Sequence, residues 1–221
     1  MKTVLITGGS TGLGYELAKN YAHDGYHVVI TGRNEERLQM AKETLQAENG
    51  YVTTCCFDIR NEQRVKAAIT HLLQHHKVDV VVNNAGVGHF GPLPSLSTED
   101  IHAMIDTNVK GTIFVTQALI QHLLTRSSAY IINVVSTAGL RGKVNESAYV
   151  ASKFAVRGFT ESLKAEYADT NLTIIGAYMG GMDTPFWNES NHIKDKSRLK
   201  PASYIADMIY EKATLGEDIL L

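Results

Sequence analysis

Three features of the sequence predict an α/β fold, doubly wound around a parallel sheet. Short, continuously apolar runs such as Val4-Leu5-Ile6, Val28-Val29-Ile30 and Val78 to Val82 read as strands buried on both faces, since a strand with one wet face would alternate. Segments with apolar residues at helical spacing separate those runs along the whole chain, the pattern of parallel strands joined by helical crossovers. A glycine-rich turn, Thr7 to Gly14, joins the first strand to the first helix. In such a sheet, ligands are expected at the carboxyl ends of the strands.

The elements follow in order. After the first strand, Gly12 to His23 reads as a helix with Leu13, Leu17 and Ala18 facing inward. Val28 to Ile30 is the second strand, and Asn34 can cap a helix that runs to about Glu48 with Leu38, Ala41 and Leu45 on one face. Val52 to Phe57 is the third strand, followed by a helix capped by Asn61, and Val78 to Val82 is the fourth. A loop rich in glycine and proline spans Gly86 to Ser97. Ser97-Thr98-Glu99-Asp100 opens a long helix carrying Ile101, Ile105, Val115 and Leu119. Tyr130 to Val135 is the fifth strand, Ser147 to Tyr167 a helix, and Leu172 to Ala177 the sixth strand. A polar segment from Asp183 to Lys200 interrupts the alternation before a last helix, Ala202 to Lys212, and a short apolar end, Ile219-Leu220-Leu221. With no repeat or linker, residues 1–221 are expected to form a single domain.

Composition narrows the function classes. The 221 residues are 44% hydrophobic and 20% charged, with a formal net charge of -2, so nothing electrostatic favours a nucleic acid or an anionic membrane as partner. No apolar run approaches the roughly 20 residues of a spanning helix, and the start of the chain is too short for a signal segment. The only cysteines, Cys55 and Cys56, are adjacent, which excludes a disulfide framework and places them on opposite faces of a strand as core filling. A cytoplasmic protein is the expectation.

The turn Gly8-Gly9-Ser10-Thr11-Gly12-Leu13-Gly14 suits a pyrophosphate, because glycines let backbone N–H groups approach it and a helix N-terminus adds favourable partial charge. Its spacing, Gly-x-x-x-Gly-x-Gly, differs from the commoner Gly-x-Gly-x-x-Gly. The same residues satisfy Gly-x-Ser-x-Gly with Ser10 at the centre, the elbow of a serine hydrolase, for which Asp183 and His192 are the available partners. That reading lacks the preceding strands an elbow requires, and a purely structural turn is a further alternative. The end of the second strand carries Thr31-Gly32-Arg33-Asn34 where an NAD-binding chain places an acidic residue for the ribose 2′-hydroxyl. Arg33 offers instead a guanidinium fork for a 2′-phosphate, so NADP(H) is expected over NAD(H), unless Arg33 is a solvated loop charge.

Tyr149 and Lys153 are four residues apart on one helix and face the same way, with Ser136 thirteen residues upstream. Transfer of a hydride to a carbonyl leaves charge on oxygen, so a proton donor must stand beside it. A tyrosine, with an ordinary pKa of about 10, donates readily; lowering that value by roughly 3 units takes about 4 kcal/mol of preferential phenolate stabilisation. A neighbouring lysine cation acts in that direction. A serine hydroxyl complements the charge that develops on the substrate oxygen.

Taken together and in this order, these residues resemble the classical short-chain dehydrogenase/reductase family over nearly the whole chain. The turn at Gly8, Ser10, Thr11, Gly12, Leu13 and Gly14 looks like that family's cofactor loop, and Asn83-Asn84-Ala85-Gly86 like its strand-stabilising, adenosine-side motif. Asp58, followed by Ile59, matches its adenine-contacting aspartate. Asn108 stands at its active-site asparagine, Ser136 at its serine, and Tyr149 with Lys153 at its catalytic pair. The resemblance implies a Rossmann-type three-layer αβα sandwich and an oxidoreductase acting on a small carbonyl or alcohol substrate. It further implies that Lys153 binds the nicotinamide ribose and that Asn108 holds a reprotonating water. Gly180, Met182 and Thr184 fall where the family meets the nicotinamide carboxamide, although Met179 stands in place of its proline. The family's substrate lid falls at about 182–200. Its longer glycine-containing tail, which helps build one subunit interface, is replaced by Ile219-Leu220-Leu221. A homodimer through helices 98–125 and 147–167 is therefore expected before a tetramer. A dinucleotide-binding sensor or scaffold without turnover is the alternative from another class.

Other features have plainer readings. His71 and His75 have a spacing that can bind zinc, but no carboxylate or cysteine accompanies them, so no metal site is expected. Phe186 and Trp187 either line an apolar substrate pocket or anchor the lid, and His89 and Phe90 face the same choice.

Overall fold

The computed structural model describes residues 1–221 apart from Asn49, Glu189 and Asn191. Its main sheet has seven strands, all parallel: β1 (Thr3–Thr7), β2 (His27–Gly32), β3 (Tyr51–Cys56), β4 (Val80–Asn83), β5 (Ala129–Val134), β6 (Leu172–Tyr178) and β9 (Ile219–Leu220). Their order is β3-β2-β1-β4-β5-β6-β9. The chain winds outward from β1 to β3, returns to β4 and winds outward on the other side. The strand order reverses between β1 and β4, where the loops leaving both strands open a crevice.

Strand residues alternate between two cores, as the pleat requires. Val4, Ile6, Val80, Val82 and Ile132 pack under α1 (Gly12–His23), α2 (Glu35–Ala47) and α7 (Ala202–Ala213). Leu5, Val81 and Ile131 face the other side, under α3 (Glu62–His75), α5 (Thr112–Leu124) and α6 (Ser147–Glu166). Both faces are covered, and the three-layer αβα sandwich is as expected.

The predicted caps are in place: Asn34 accepts from Arg37 N at 2.8 Å and Asn61 from Arg64 N at 3.0 Å. Ser97 and Asp100 form a reciprocal capping box at the start of α4 (Thr98–Met104). The helix expected over 98–125 is more varied than its periodicity implied. Its middle, Ile105–Gly111, is a π-helical turn that joins α4 to α5, and such turns are frequent at functional sites. Gly111 closes the turn against Ile59, where an added Cβ would lie 2.6 Å from the Ile59 side chain.

A buried polar ladder fixes the central strands to the helices behind them. Asn83 donates to Thr116 Oγ1 at 3.0 Å and to Asn133 Oδ1 at 2.8 Å, and Asn133 donates to Thr160 Oγ1 at 2.9 Å. Pairing of this kind is what lets polar side chains sit in a core.

Two expectations need correction. Cys56 does not fill the core: it is exposed at the end of β3, within 3.7 Å of the Arg33 carbonyl, and only Cys55 is partly buried. The apolar end is a seventh strand, since β9 pairs with β6 in the register Ala177↔Ile219 and Tyr178↔Leu220. The polar segment also has structure at its base, where β7 (Met182–Asp183) pairs with β8 (Lys200–Pro201). Glu189 and Asn191 of the expected lid lie outside the described residues.

Candidate active site

The glycine turn lies at the switch between β1 and β4. Gly8 and Gly12 have φ of 64° and 56°, conformations that side chains other than glycine resist. A Cβ on Gly14 would stand 2.3 Å from the Gly8 carbonyl oxygen and 2.5 Å from Asn84 Nδ2, so only a glycine lets α1 start this close to the turn. Asn84 braces the turn from just beyond β4, donating through Nδ2 to the carbonyls of Thr7 at 2.9 Å and Gly8 at 3.2 Å. Thr7 Oγ1 accepts from the N–H groups of both Asn84 and Ala85. The first turn of α1 has no acidic residue, and its cap residue Thr11 offers no side-chain bond. Its N–H groups are therefore open to an anion, and the turn fits a dinucleotide pyrophosphate.

On the adenosine side, Arg33 is exposed at the end of β2, in a depression shared with Glu35, Glu36 and Glu43. Asp58 is bound to Arg60, which donates to it from its backbone at 2.9 Å and from Nη2 at 2.6 Å. Burial opposes ionisation of this carboxyl, but the bonds from Arg60 outweigh it and hold Asp58 below the usual carboxylate range. The side chains of Ile59 and Leu13 lie in the core.

Ser136, Tyr149 and Lys153 come together at the carboxyl end of β5. Ser136 has φ 91° and ψ 152°, a region that costs a side-chain-bearing residue about 1–3 kcal/mol. The surrounding backbone pins it there. Val135 N and Ser136 N both donate to the Ala177 carbonyl, Thr137 N donates to the Met179 carbonyl at 2.9 Å, and Ser136 Oγ accepts from Ala138 N. Met179, at the family's proline position, is buried and supplies the carbonyl of this clamp.

Tyr149 and Lys153 are both buried on the inner face of α6. Lys153 Nζ donates to the Val134 carbonyl at 3.0 Å. Burial pulls the Lys153 ammonium down to about 8 and pushes the Tyr149 phenol above its ordinary value, while interaction with the Ser136 hydroxyl lowers the phenol and Glu146 raises it.

Asn108 sits in the π-turn with its side chain engaged: Nδ2 donates to Val87 O at 2.9 Å and to Ser152 Oγ at 3.0 Å, and Oδ1 accepts from Val87 N at 2.8 Å. A Cβ on Gly86 would lie 3.3 Å from Asn108 Oδ1 and 3.7 Å from Lys153 Nζ, so the two residues converge on that glycine. Thr184 approaches the other glycine loop, within 3.3 Å of where a Gly12 Cβ would be. Met182 contributes its carbonyl to Trp187 Nε1 at 3.0 Å, and Gly180 is exposed with open space around it.

Aromatic residues roof the tyrosine. Phe90 meets the edge of Tyr149 at 5.2 Å between centroids, and Phe186 lies 6.0 Å from it. Phe90 stacks on Trp187 at 5.1 Å and on His192 at 4.8 Å. His89 pairs with Asp100 at 3.0 Å on the rim. Sequence reasoning missed Glu146, which lies buried beneath His192; just before a helix it reads as a solvated charge, and no spacing marks it out.

Ser10 does not resemble a hydrolase nucleophile. Among the described residues the side chains with positive φ other than glycine are Ser136 and Asn145, not Ser10, and His192 is bonded to Glu146. An elbow serine needs that sharp strand-to-helix strain and a histidine within reach.

This sheet and crevice define an α/β oxidoreductase of the nucleotide-cofactor type. The chain belongs to the short chain dehydrogenase family, whose model matches residues 2–195. It is 32% identical over 209 residues to an uncharacterized oxidoreductase of Staphylococcus epidermidis, covering 94% of this chain and 89% of that one. Among solved structures it resembles a gluconate 5-dehydrogenase from Burkholderia cenocepacia in complex with NADP and tartrate, at TM-score 0.90 and 25% identity over 100% of this chain and 93% of the other. A short chain dehydrogenase/reductase from Burkholderia phymatum in complex with NAD is similar at TM-score 0.91 and 25% identity, covering 99% and 88%.

Proposed function

We propose that this protein is an NADP(H)-dependent oxidoreductase that interconverts a carbonyl and an alcohol on a small apolar substrate, with Tyr149 as the acid/base. The observation that carries this reading is the convergence of half-buried Ser136 with buried Tyr149 and Lys153 at the end of β5, beside the loop after β4. The glycine turn, Asn84, Ala85 and Gly86 would hold the dinucleotide, with Arg33 at a 2′-phosphate and Asp58 at the adenine. The nicotinamide, when bound, supplies or takes up the hydride.

Tyr149 delivers the proton to the carbonyl oxygen in reduction and recovers it in oxidation. Ser136 donates to the same oxygen as its charge develops. Lys153 favours the phenolate by its charge and binds the nicotinamide ribose. Both Nδ2 hydrogens of Asn108 are used, so a relay water held by this residue must turn to its main-chain carbonyl or to the second lone pair of Oδ1. Phe90 and Phe186 support the apolar substrate, since they line the space over Tyr149, with Trp187 packed against both.

The test is Tyr149→Phe. Turnover of aldehydes, ketones or quinones with NADPH should fall by at least about a thousandfold, while NADPH still quenches protein fluorescence with unchanged affinity. Activity retained by Tyr149→Phe would refute the assignment. An intact protein that binds NADPH but turns over nothing in that panel would point to the sensor or scaffold class.

A further inference from the structure

One contact above Tyr149 is used by none of these roles. Glu146 directly precedes α6, placed there by Asn145, whose φ is 62°. Its carboxylate is buried: Oε1 lies 2.9 Å from His192 Nε2, and Oε2 lies 3.9 Å from Lys143 Nζ, which in turn donates to Thr137 Oγ1 at 3.2 Å. A buried carboxylate is retained where opposite charge or donors meet it, and here the nearer partner comes from the lid. The His192 ring lies nearly parallel to Phe90, 17° apart, so the contact also fixes the aromatic roof. Beneath that roof Tyr149 is only 8% exposed. A substrate oxygen reaches its hydroxyl only when Phe90 and Phe186 part, and the segment that carries Phe186 also carries His192.

We propose that Glu146 and His192 are positioning residues whose contact fastens this segment over Tyr149 and sets the charge beside the phenol. The proposal rests on reading Tyr149 as the acid/base. Tyr149 is faced by Ser136 from the turn after β5, by Glu146 just before α6, by Lys153 from α6, and by Phe90 and Phe186 from the two loops. Lys153 and Glu146 are the charged groups among these, and Glu146 in turn meets Lys143 and His192. After burial, the charge of Glu146 adds to keeping the phenol protonated, with Ser136 acting the other way. Closure of His192 onto Glu146 therefore gives that carboxylate a hydrogen-bond partner at the moment the site is sealed.

The chain has a single tryptophan, Trp187, placed within this segment, so acrylamide quenching reads lid closure without any turnover. Glu146→Gln and His192→Gln should each increase quenching and lower kcat/KM for the carbonyl about tenfold, as loss of one charge-assisted bond predicts. The double variant should do no more than either single one, because both remove the same contact. In alcohol oxidation, the pH at which the rate rises should move lower in Glu146→Gln and lie below that of His192→Gln, because both variants loosen the lid and rehydrate Tyr149 but only the first removes the charge. His192→Gln keeps the test open should Glu146→Gln fold poorly. Unchanged quenching in both single variants, or an unmoved midpoint in Glu146→Gln, overturns the proposal. Turnover surviving Tyr149→Phe would instead bring down the catalytic reading, and the quenching result would stand apart from it.

Discussion

Lys153 Nζ lies 5.8 Å from the centroid of the Tyr149 ring, with both side chains buried. In the proposed mechanism this places a counter-charge beside the phenolate, and the fold must keep an ammonium in the core. Burial brings Lys153 down from 10.5 to about 8, so between those values the unfolded chain binds more protons and stability rises with pH. Below about pH 8 the folded state carries the full cost; above 10.5 the cost is gone. The interval corresponds to roughly 3 kcal/mol. Urea melts of the ligand-free protein at pH 8 and pH 10.5 should show wild type gaining about that much on Lys153→Met. A difference between the two proteins that stays constant across that range excludes the mechanism.

Arg33 stands where a carboxylate would select NAD. Its exposed guanidinium suits a 2′-phosphate, but Glu35, Glu36 and Glu43 line the same depression and reduce its advantage. Arg33→Ala should weaken NADPH binding about tenfold and NADH binding by less than about twofold, the size of one charge-assisted bond. Equal losses for the two cofactors, measured by fluorescence titration, would show that the arginine does not touch the phosphate.

Gly14 tests the cofactor cradle directly. Its missing Cβ leaves room for the Gly8 carbonyl and Asn84 Nδ2, and the nearer of these is backbone, which cannot swing aside. Gly14→Ala should cost about 1–3 kcal/mol of stability by overpacking and remove most dinucleotide affinity, because the turn and α1 must separate. Gly142→Ala, where nothing lies within 4 Å, should change neither the melting temperature nor NADPH binding.

The strands, helix caps and switch point were legible because each rests on local chemistry. Asn34, Asn61 and Ser97 cap where short polar side chains precede a periodic run, and the valine and isoleucine runs can only be doubly covered strands. The strain at Ser136 was not legible, because it is imposed by the carbonyls of Ala177 and Met179, far along the chain. The π-turn at Asn108 hides in an unbroken helical pattern, for periodicity does not register one extra residue in a turn. β9 is only two residues long and is defined by its pairing with β6. Glu146 and His192 are 46 residues apart and meet only through the fold.

The outer face of α6 bears on assembly. Opposite the buried Ser152, Lys153 and Val156, the helix presents Ala151, Phe154, Ala155 and Gly158 to solvent, with Phe154 42% exposed. Small residues around one large aromatic let a second helix approach closely, and an aromatic anchor in the middle of such a face is what a stable interface is built on. Lys153 and Tyr149 are on the same helix, so a partner packed here would also stiffen the element that carries them. Light scattering should give twice the mass of one chain, and Phe154→Glu should halve that mass. Because Phe154 is exposed in the single chain, the melting temperature of Phe154→Glu measured at low protein concentration should match that of wild type under the same dilution. A wild-type mass equal to one chain at micromolar concentration would dispose of the dimer.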